Sequence, residues 1–269
     1  MTNLVPIRRW RGGPGVGVLV AGLASVMALV SGCEAGSPRG ELAENQRILA
    51  SCDPSAPPAS LVVIDGTWSS ASEAITAERM AAIESITRRT AVCSGHLRVL
   101  VFSSSAATTT LFDGSLEIDG ATTNARLKRV PKTVADVMDK VRQAYGPAVA
   151  ALPQSGSNIT SMHRLGAEWI AQLGGNYRLH LVILSDGCQN VSVDLCVRPL
   201  SKQEVTALVD QVAVPQLPGA SVTVAGLGRV AGTPPSSDVV EQLVAFFGAV
   251  CRKTAAAECV SVTDYAEGR

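Results

Sequence analysis

The sequence has no excess of charge of either sign. Its 23 Lys and Arg residues balance its 23 Asp and Glu residues, which gives a formal net charge of zero. Without a basic surface field, the protein has no electrostatic means of attracting nucleic acid or an anionic membrane surface. We therefore expect no nucleic-acid partner, and attachment to a membrane must come from another source.

Motifs for nucleotide and zinc chemistry are missing as well. The sequence contains no P-loop lysine motif, no Gly-x-Ser-x-Gly nucleophile elbow and no Cys/His cluster with the spacing of zinc ligands. Residues 226–231 imitate a dinucleotide fingerprint, but they lead into Pro234 and Pro235 and do not open a helix, so we interpret them as a loop. The sequence therefore predicts neither a bound nucleotide nor zinc.

The N-terminus has the layout of a secretory signal. Arginines within residues 8–11 precede an uncharged apolar stretch at residues 16–30, which is shorter than the roughly 20 residues that a spanning helix needs. The run Val30-Ser31-Gly32-Cys33 then resembles the lipobox of bacterial lipoproteins. That resemblance implies cleavage after residue 32, a lipid on Cys33 and anchoring at the extracytoplasmic face of the cell membrane. A signal peptide that is cut elsewhere, or an uncleaved anchor, is the alternative.

Six cysteines remain once Cys33 is set aside for the lipid. An exported compartment permits disulfides, although six cysteines allow fifteen pairings and the sequence alone does not choose among them. Short loops favour two local bridges, and cysteines a few residues before two predicted parallel strands favour a third. The alternative is free, buried cysteine. The favoured pairs are Cys188 with Cys196, Cys251 with Cys259, and Cys52 with Cys93.

Apolar runs alternate with helical periodicity along the rest of the chain. We predict a signal peptide at residues 1–32, a lipidated N-terminus and tether with a short helical piece at 33–58, and one domain at 59–269. Strands are predicted at residues 60–64, 97–102, 179–184, 220–227 and 259–263, with an edge strand or hairpin at 109–118. Helices are predicted at 71–90, 133–152, 159–173, 202–214 and 238–254. Strands separated by helices imply a three-layer α/β fold, in which a mainly parallel open sheet carries helices on both faces.

Polar residues follow the first and third buried strands. In an open parallel sheet, ligands bind beyond the carboxyl ends of the strands. Asp65, Thr67 and Ser69 lie after one strand, Asp186 lies after another, and Ser157 lies in a loop just before a helix. Two carboxylates and three hydroxyls are hard oxygen donors, which suit Mg²⁺ or Mn²⁺, with Ca²⁺ as an alternative.

At these residues the chain resembles the von Willebrand factor A family. That family holds its metal with an Asp-x-Ser-x-Ser motif, a separate Thr and a separate Asp. Asp65, Thr67 and Ser69 match the motif, Ser157 takes the place of the Thr, and Asp186 matches the last Asp. The resemblance covers residues 60–263 and implies a parallel α/β fold with a metal-ion-dependent adhesion site.

The resemblance also implies a function. An acidic side chain of a partner protein would complete the metal shell, so we expect a non-enzymatic binding module whose ligand exposes Asp or Glu. This chain departs from the family pattern in three ways. Thr67 and Ser157 keep a hydroxyl but change its packing, Trp68 puts a large side chain inside the motif, and the stretch at residues 103–133 is longer than in compact members.

Three other interpretations stay open. The same polar residues are common as helix caps and in turns, and the fold also suits a metal-free structural or assembly component of the cell envelope. A metal-assisted hydrolase or a triad of Ser157, His163 and Asp186 is the third. This enzymatic interpretation is the weakest of the three, because the sequence offers His163 alone as a candidate general base near the site. We interpret His180 as a core residue and His96 as a loop residue.

Overall fold

Six strands form the central sheet of the protein in the computed structural model, which describes residues 38–70, 72–104, 108–153 and 156–264. Within the sheet the order is β3-β2-β1-β4-β5-β6, with β3 antiparallel to β2 and all other neighbours parallel. The predicted mainly parallel open sheet is therefore confirmed. The strands are β1 (Pro58–Asp65), β2 (His96–Phe102), β3 (Thr108–Ser115), β4 (Arg178–Leu184), β5 (Ser221–Ala225) and β6 (Glu258–Val262).

Helices cover both faces of this sheet and complete the three layers. One core lies between the sheet and the first four helices, and the other lies between the sheet and the last three. In β1, at the centre, Leu61 and Val63 face one core while Val62 and Ile64 face the other, as expected for a parallel strand that is buried on both sides. The helices are α1 (Pro38–Ala50), α2 (Glu73–Val92), α3 (Thr123–Leu127), α4 (Val130–Ala150), α5 (Met162–Leu173), α6 (Lys202–Gln211) and α7 (Ser237–Lys253).

The segment predicted as an edge strand or hairpin is a single edge strand. β3 runs through Asp113 and Gly114, which the sequence suggested as a turn, and pairs with β2 along its whole length. Asp113 pairs with Arg98 in this ladder, and its carboxylate lies 2.7 Å from His96 Nε2 and 3.4 Å from Arg98 Nε. His96 is accordingly the first residue of β2 and not a loop residue.

The predicted tether is partly helical and belongs to the domain. α1 packs on the core against α2 and α3 through Leu42, Ile48 and Leu49, and the buried Asn45 side chain donates to the carbonyl of Leu127 at 3.2 Å. The compact unit begins at Pro38, so the domain boundary predicted at residue 59 lies inside it. The lipobox and signal segment fall outside the described residues.

All three favoured disulfides are present. Cys52 is joined to Cys93, Cys188 to Cys196, and Cys251 to Cys259. The first bridge ties the end of α1 to the end of α2, and the other two close short local loops. In the described part of the chain, no helix is both long and apolar enough to cross a membrane.

One face of the sheet is open at the β5–β6 edge, on the side of α2. A groove of about 800 Å³ lies there, and its wall includes Arg89, Thr223, Glu258 and Val260. His180 lines the same groove and is half-buried. The interpretation of His180 as a core residue is therefore wrong, because its side chain points to the face that the helices leave uncovered.

Candidate metal site at the carboxyl ends of the strands

The two predicted carboxylates lie at the ends of neighbouring strands. Asp65 is the last residue of β1, and Asp186 comes two residues after β4, whose Leu184 pairs with Ile64. Ser157 reaches the same place because the amide of Asn158 donates to the carbonyl of Ser103, just beyond β2, at 3.1 Å. Parallel strands thus bring together side chains that are far apart in the sequence.

Asp65 is the centre of the hydrogen-bond network. Its Oδ1 accepts from the amide of Thr67 at 3.1 Å and from the Thr67 hydroxyl at 2.7 Å. The Ser157 hydroxyl donates to Oδ1 at 3.1 Å and to Oδ2 at 3.0 Å, and the Ser185 hydroxyl donates to Oδ2 at 2.6 Å. The carboxylate is fully buried, so these donors replace the water that an exposed carboxylate would have.

The hydroxyls form a row beside Asp65. Thr67 Oγ1 lies 3.2 Å from Ser157 Oγ and 3.4 Å from Ser69 Oγ. Thr67 and Ser157 are buried, whereas Ser69 is exposed, so the row leads from the interior to the surface. Trp68, which stands between Thr67 and Ser69 in the sequence, is 74% exposed.

The Asp186 carboxylate accepts fewer hydrogen bonds from the described residues than the Asp65 carboxylate does. Its Oδ1 accepts from the amide of Cys188 at 2.8 Å, but its Oδ2 is buried without a hydrogen-bond partner among the described residues. Burial raises the pKa of this carboxyl, and the nearby Asp65 charge raises that pKa further. The Ser69 hydroxyl and the Cys188 amide lower the pKa and partly offset these effects. A cation at this position would relieve both unfavourable contributions.

The loop after β4 is braced around this carboxylate. The bridge from Cys188 to Cys196 closes it, and Gly187 adopts a φ of 82° where an added Cβ would come within 2.6 Å of Leu227. Asn190 Oδ1 accepts from the amide of Ser157 at 2.9 Å. The loop that carries Asp186 therefore also positions the Ser157 backbone.

His163 does not form the triad that its sequence position allowed. Its ring is fully buried, with Nδ1 3.1 Å from the Thr160 carbonyl and Nε2 without a partner among the described residues. Neither ring nitrogen is hydrogen-bonded to Ser157 or Asp186. Burial also lowers the pKa of His163. Ser157, His163 and Asp186 therefore lack the mutual hydrogen bonds that join the nucleophile, base and acid of a catalytic triad.

Sequence analysis missed one hydroxyl of the network. Ser185 directly follows β4, donates to Asp65 and accepts from the amide of Gly187 at 3.1 Å. Its position beside Asp186 is the signal that could have identified it, since β4 is the neighbour of β1. Arg79 was missed too, and its guanidinium donates to the backbone carbonyl of Asp65 at 2.8 Å.

The donor set fits a hard divalent cation. No three His, Cys, Asp or Glu side chains in the described ranges cluster as metal ligands, so a carboxylate-rich or zinc-type centre is not what these residues form. Two carboxylates and three hydroxyls are the type of ligand that Mg²⁺ and Mn²⁺ accept, with water in the remaining positions. The buried, unpartnered oxygen of Asp186 is the structural feature that such an ion would satisfy.

Comparison with known proteins finds similarity in structure alone. No protein-family model and no curated protein sequence matches the chain. Solved structures do match. The conserved hypothetical protein BatB from Bacteroides thetaiotaomicron has a TM-score of 0.43 at 10% identity, over 78% of this chain and 91% of that one. A von Willebrand factor type A protein from Catenulispora acidiphila has a TM-score of 0.33 at 12% identity, over 77% and 38%.

A third similar structure is the pilus adhesin SpaC from Lactobacillus rhamnosus GG in its open conformation. Its TM-score is 0.42 at 12% identity, over 78% of this chain and 28% of the adhesin. Similarity at these levels carries no argument about function. Strand order and the antiparallel β3 at one edge define a three-layer α/β fold, and the polar residues lie at the ends of β1 and β4, as the resemblance to the von Willebrand factor A family implied.

Proposed function

We propose that this protein is a membrane-anchored, extracytoplasmic binding module that holds a divalent cation and uses it to engage an acidic side chain of a partner protein. Mg²⁺ or Mn²⁺ is the expected ion, with Ca²⁺ as the alternative. The residues that would hold it are Asp65, Thr67, Ser69, Ser157 and Asp186.

The single observation that supports this proposal most strongly is the unpartnered Oδ2 of Asp186. A buried carboxylate oxygen without a donor costs free energy unless a cation or a proton is bound to it. The raised pKa of Asp186 is the same unfavourable energy expressed as proton affinity. A positive charge bound at this position would offset that cost.

Each residue has a distinct part in this proposal. When bound, the ion supplies an electrophilic position to which an external carboxylate can coordinate. The buried hydroxyls of Thr67 and Ser157 are already oriented by their hydrogen bonds to Asp65, so little ordering is required when they become ligands. Ser69, at the exposed end of the row, lies between the buried donors and solvent, where a partner has access.

Location outside the cytoplasm is supported by the disulfides. Three bridges within one domain are typical of oxidising compartments. We propose that the lipid on Cys33 provides the anchor, because the lipobox resemblance supplies an attachment that charge does not. A labelled fatty acid supplied to the cells should be incorporated into wild type and not into Cys33→Ser, and the absence of label in wild type would contradict the lipid anchor.

Direct titration with Mn²⁺, followed by electron paramagnetic resonance, tests the metal site. The oxidised fragment 34–269 is suitable, because both cores and all three disulfides lie within residues 38–264. Wild type should bind one Mn²⁺ that Mg²⁺ displaces, and Asp186→Asn should not. Equal Mn²⁺ binding by the two proteins would show that the ion is held elsewhere.

A metal-free structural or assembly module is the second candidate, and the network around Asp65 favours it. Both oxygens of Asp65 are fully supplied with hydrogen bonds by the chain itself. A site that is satisfied without a cation can serve as a structural brace between strands. This alternative expects no Mn²⁺ binding, and it expects a chelator to change neither the melting temperature nor partner capture.

A further inference from the structure

A buried arginine contacts the main chain of the candidate metal site. Arg79, in α2, is 6% exposed, and its Nη1 donates to the backbone carbonyl of Asp65 at 2.8 Å. A guanidinium keeps its proton in a folded protein, and a buried charge is costly unless charge of the opposite sign compensates it. Arg79 therefore places a permanent positive charge against the residue at the centre of the hydrogen-bond network.

The carboxylate at the end of the neighbouring strand is also affected by this charge. Burial and the Asp65 charge raise the pKa of Asp186, and the Arg79 charge acts in the opposite direction. Arg79 also lines a small cleft together with Leu184, the last residue of β4, two positions before Asp186. The guanidinium is thus within electrostatic reach of both carboxylates of the site.

Glu78, the acidic neighbour of Arg79 in α2, has a different partner. Its carboxylate lies 2.7 Å from Arg229, which also lies 2.5 Å from Asp264. Glu78 and Arg229 are partly exposed, so water screens their charges. Asp65 and Asp186 are therefore the buried anions of the described chain that the Arg79 charge compensates.

We propose that Arg79 is the fixed counter-charge of the metal site, which stabilises the two carboxylates when no ion is bound and limits the affinity with which they hold a divalent cation. The second part rests on the proposed function, because it requires that the ion binds there. A guanidinium and a metal ion near the same two carboxylates repel each other, so each weakens the stabilisation that the other gains. Arg79 thus sets the ion concentration at which the site is loaded and can engage an acidic group.

Three substitutions in α2 separate the charge of Arg79 from its hydrogen bond. Arg79→Gln keeps an N–H donor and removes the charge, whereas Arg79→Lys keeps the charge on a side chain of different shape. Arg89→Gln is the matched control, because Arg89 is an exposed residue of the same helix. It lies almost three turns, or roughly 15 Å, further along α2, where its charge is largely screened from the site.

Thermal unfolding in chelator tests the counter-charge without any metal. Arg79→Gln should lower the melting temperature of the fragment 34–269, because the buried carboxylates lose their compensation. About half of that loss or less should remain when the same substitution is made in Asp186→Asn, since one of the two carboxylates is then neutral. An equal loss in both backgrounds, or failure of Arg79→Gln to fold in both, would show that the hydrogen bond alone matters and would overturn the counter-charge.

Mn²⁺ titration, followed by electron paramagnetic resonance, tests the limit on affinity. Arg79→Gln should bind Mn²⁺ about tenfold more tightly than wild type, because one nearby positive charge is lost. Arg79→Lys and Arg89→Gln should keep the wild-type affinity. Unchanged or weaker binding by Arg79→Gln would overturn the limit on affinity and leave the metal site standing. If wild type binds no Mn²⁺, the proposed function is contradicted and the limit on affinity with it, whereas the unfolding experiment still decides on the counter-charge.

Discussion

Ser157 donates its hydroxyl to both carboxylate oxygens of Asp65, at 3.1 and 3.0 Å, across 92 positions of sequence. The contact ties the loop before α5 to the end of β1, and both side chains are buried. Since Asp65 is also held by Thr67 and Ser185, the two residues share one network. Change at either position should affect both stability and metal response.

Ser157→Ala should lower the free energy of unfolding by about 1–2 kcal/mol, because a buried charged acceptor loses one donor. It should also remove most of the metal-induced rise in melting temperature, since one ligand is lost. Ser161→Ala is the matched control. Its hydroxyl donates to the carbonyl of Asn158 at 2.7 Å in the same segment, so it should lose some stability and keep the metal response. An unchanged metal response in Ser157→Ala would exclude that hydroxyl as a ligand.

Asp65 and Asp186 should respond in opposite directions to removal of their charge. In chelator, Asp186→Asn should raise the melting temperature, because it removes a buried charge whose Oδ2 has no donor in the described part of the chain and which is repelled by Asp65. Asp65→Asn should lower it, because an amide nitrogen cannot accept from the hydroxyls of Ser157 and Ser185. Thermal unfolding by circular dichroism measures both. Equal shifts in the same direction would contradict the asymmetry of the two carboxylates.

The two short disulfide loops provide a matched pair. Each bridge joins cysteines eight positions apart, so replacement of either pair by serine should cost a similar amount, about 2–3 kcal/mol in the chain-entropy account. Only the Cys188→Ser/Cys196→Ser protein should lose Mn²⁺ affinity, because the amide of Cys188 holds Asp186. Mn²⁺ titration of both variants makes the comparison. Loss of affinity in the Cys251→Ser/Cys259→Ser protein would point to a global cause.

His180 should make stability depend on pH. Burial and, to a smaller extent, the Arg89 charge lower the pKa of His180 to about 4 against the opposing effect of Glu258. Because the pKa of His180 is lower in the folded state, the unfolded chain takes up the proton at a higher pH than the folded protein does. The contribution of neutral His180 to the free energy of unfolding is therefore complete above the unfolded pKa near 6.5, and it is lost as the pH falls towards 4. Because His180 is half-buried at an open groove, we expect a loss of about 1 kcal/mol between roughly pH 7.5 and pH 5.

Urea unfolding of wild type and His180→Gln at both pH values isolates this contribution. The buried His163, whose pKa is also lowered, is present in both proteins and cancels in the difference. The variant should lose less stability than wild type on acidification. A parallel loss in the two proteins would show that other groups cause the acid sensitivity.

The sheet was predictable from sequence because its central strands are continuous apolar runs. Residues 60–64 and 179–184 can be buried on both faces in a parallel sheet, and the polar residues that follow them then share one edge. His180 was misplaced because the apolar run around it does not show that one face of β5 and β6 is uncovered. α1 was assigned to the tether because the sequence does not show that its apolar side chains pack on the core or that Asn45 donates to Leu127.

The proximity of these polar residues could be predicted for the same reason. The difference between the two carboxylates in the hydrogen bonds that they accept could not. Asp65 and Asp186 look alike in sequence, each at the end of a strand and each followed by glycine. The difference arises in three dimensions, where the hydroxyls of Ser185 and Ser157 both donate to Asp65, while Oδ2 of Asp186 has no hydrogen-bond partner among the described residues. Side-chain direction around a shared carboxylate is a tertiary property that periodicity does not encode.

The melting temperature of the oxidised fragment 34–269, in chelator and then with Mg²⁺, Mn²⁺ or Ca²⁺, tests the central claim most directly. A ligand that binds only the folded state raises it by mass action. We predict a rise with Mg²⁺ or Mn²⁺ that is lost in Asp65→Asn and in Asp186→Asn and kept in Trp68→Ala. If no ion changes the melting temperature of wild type, the metal-dependent account is contradicted and the metal-free module becomes the better description.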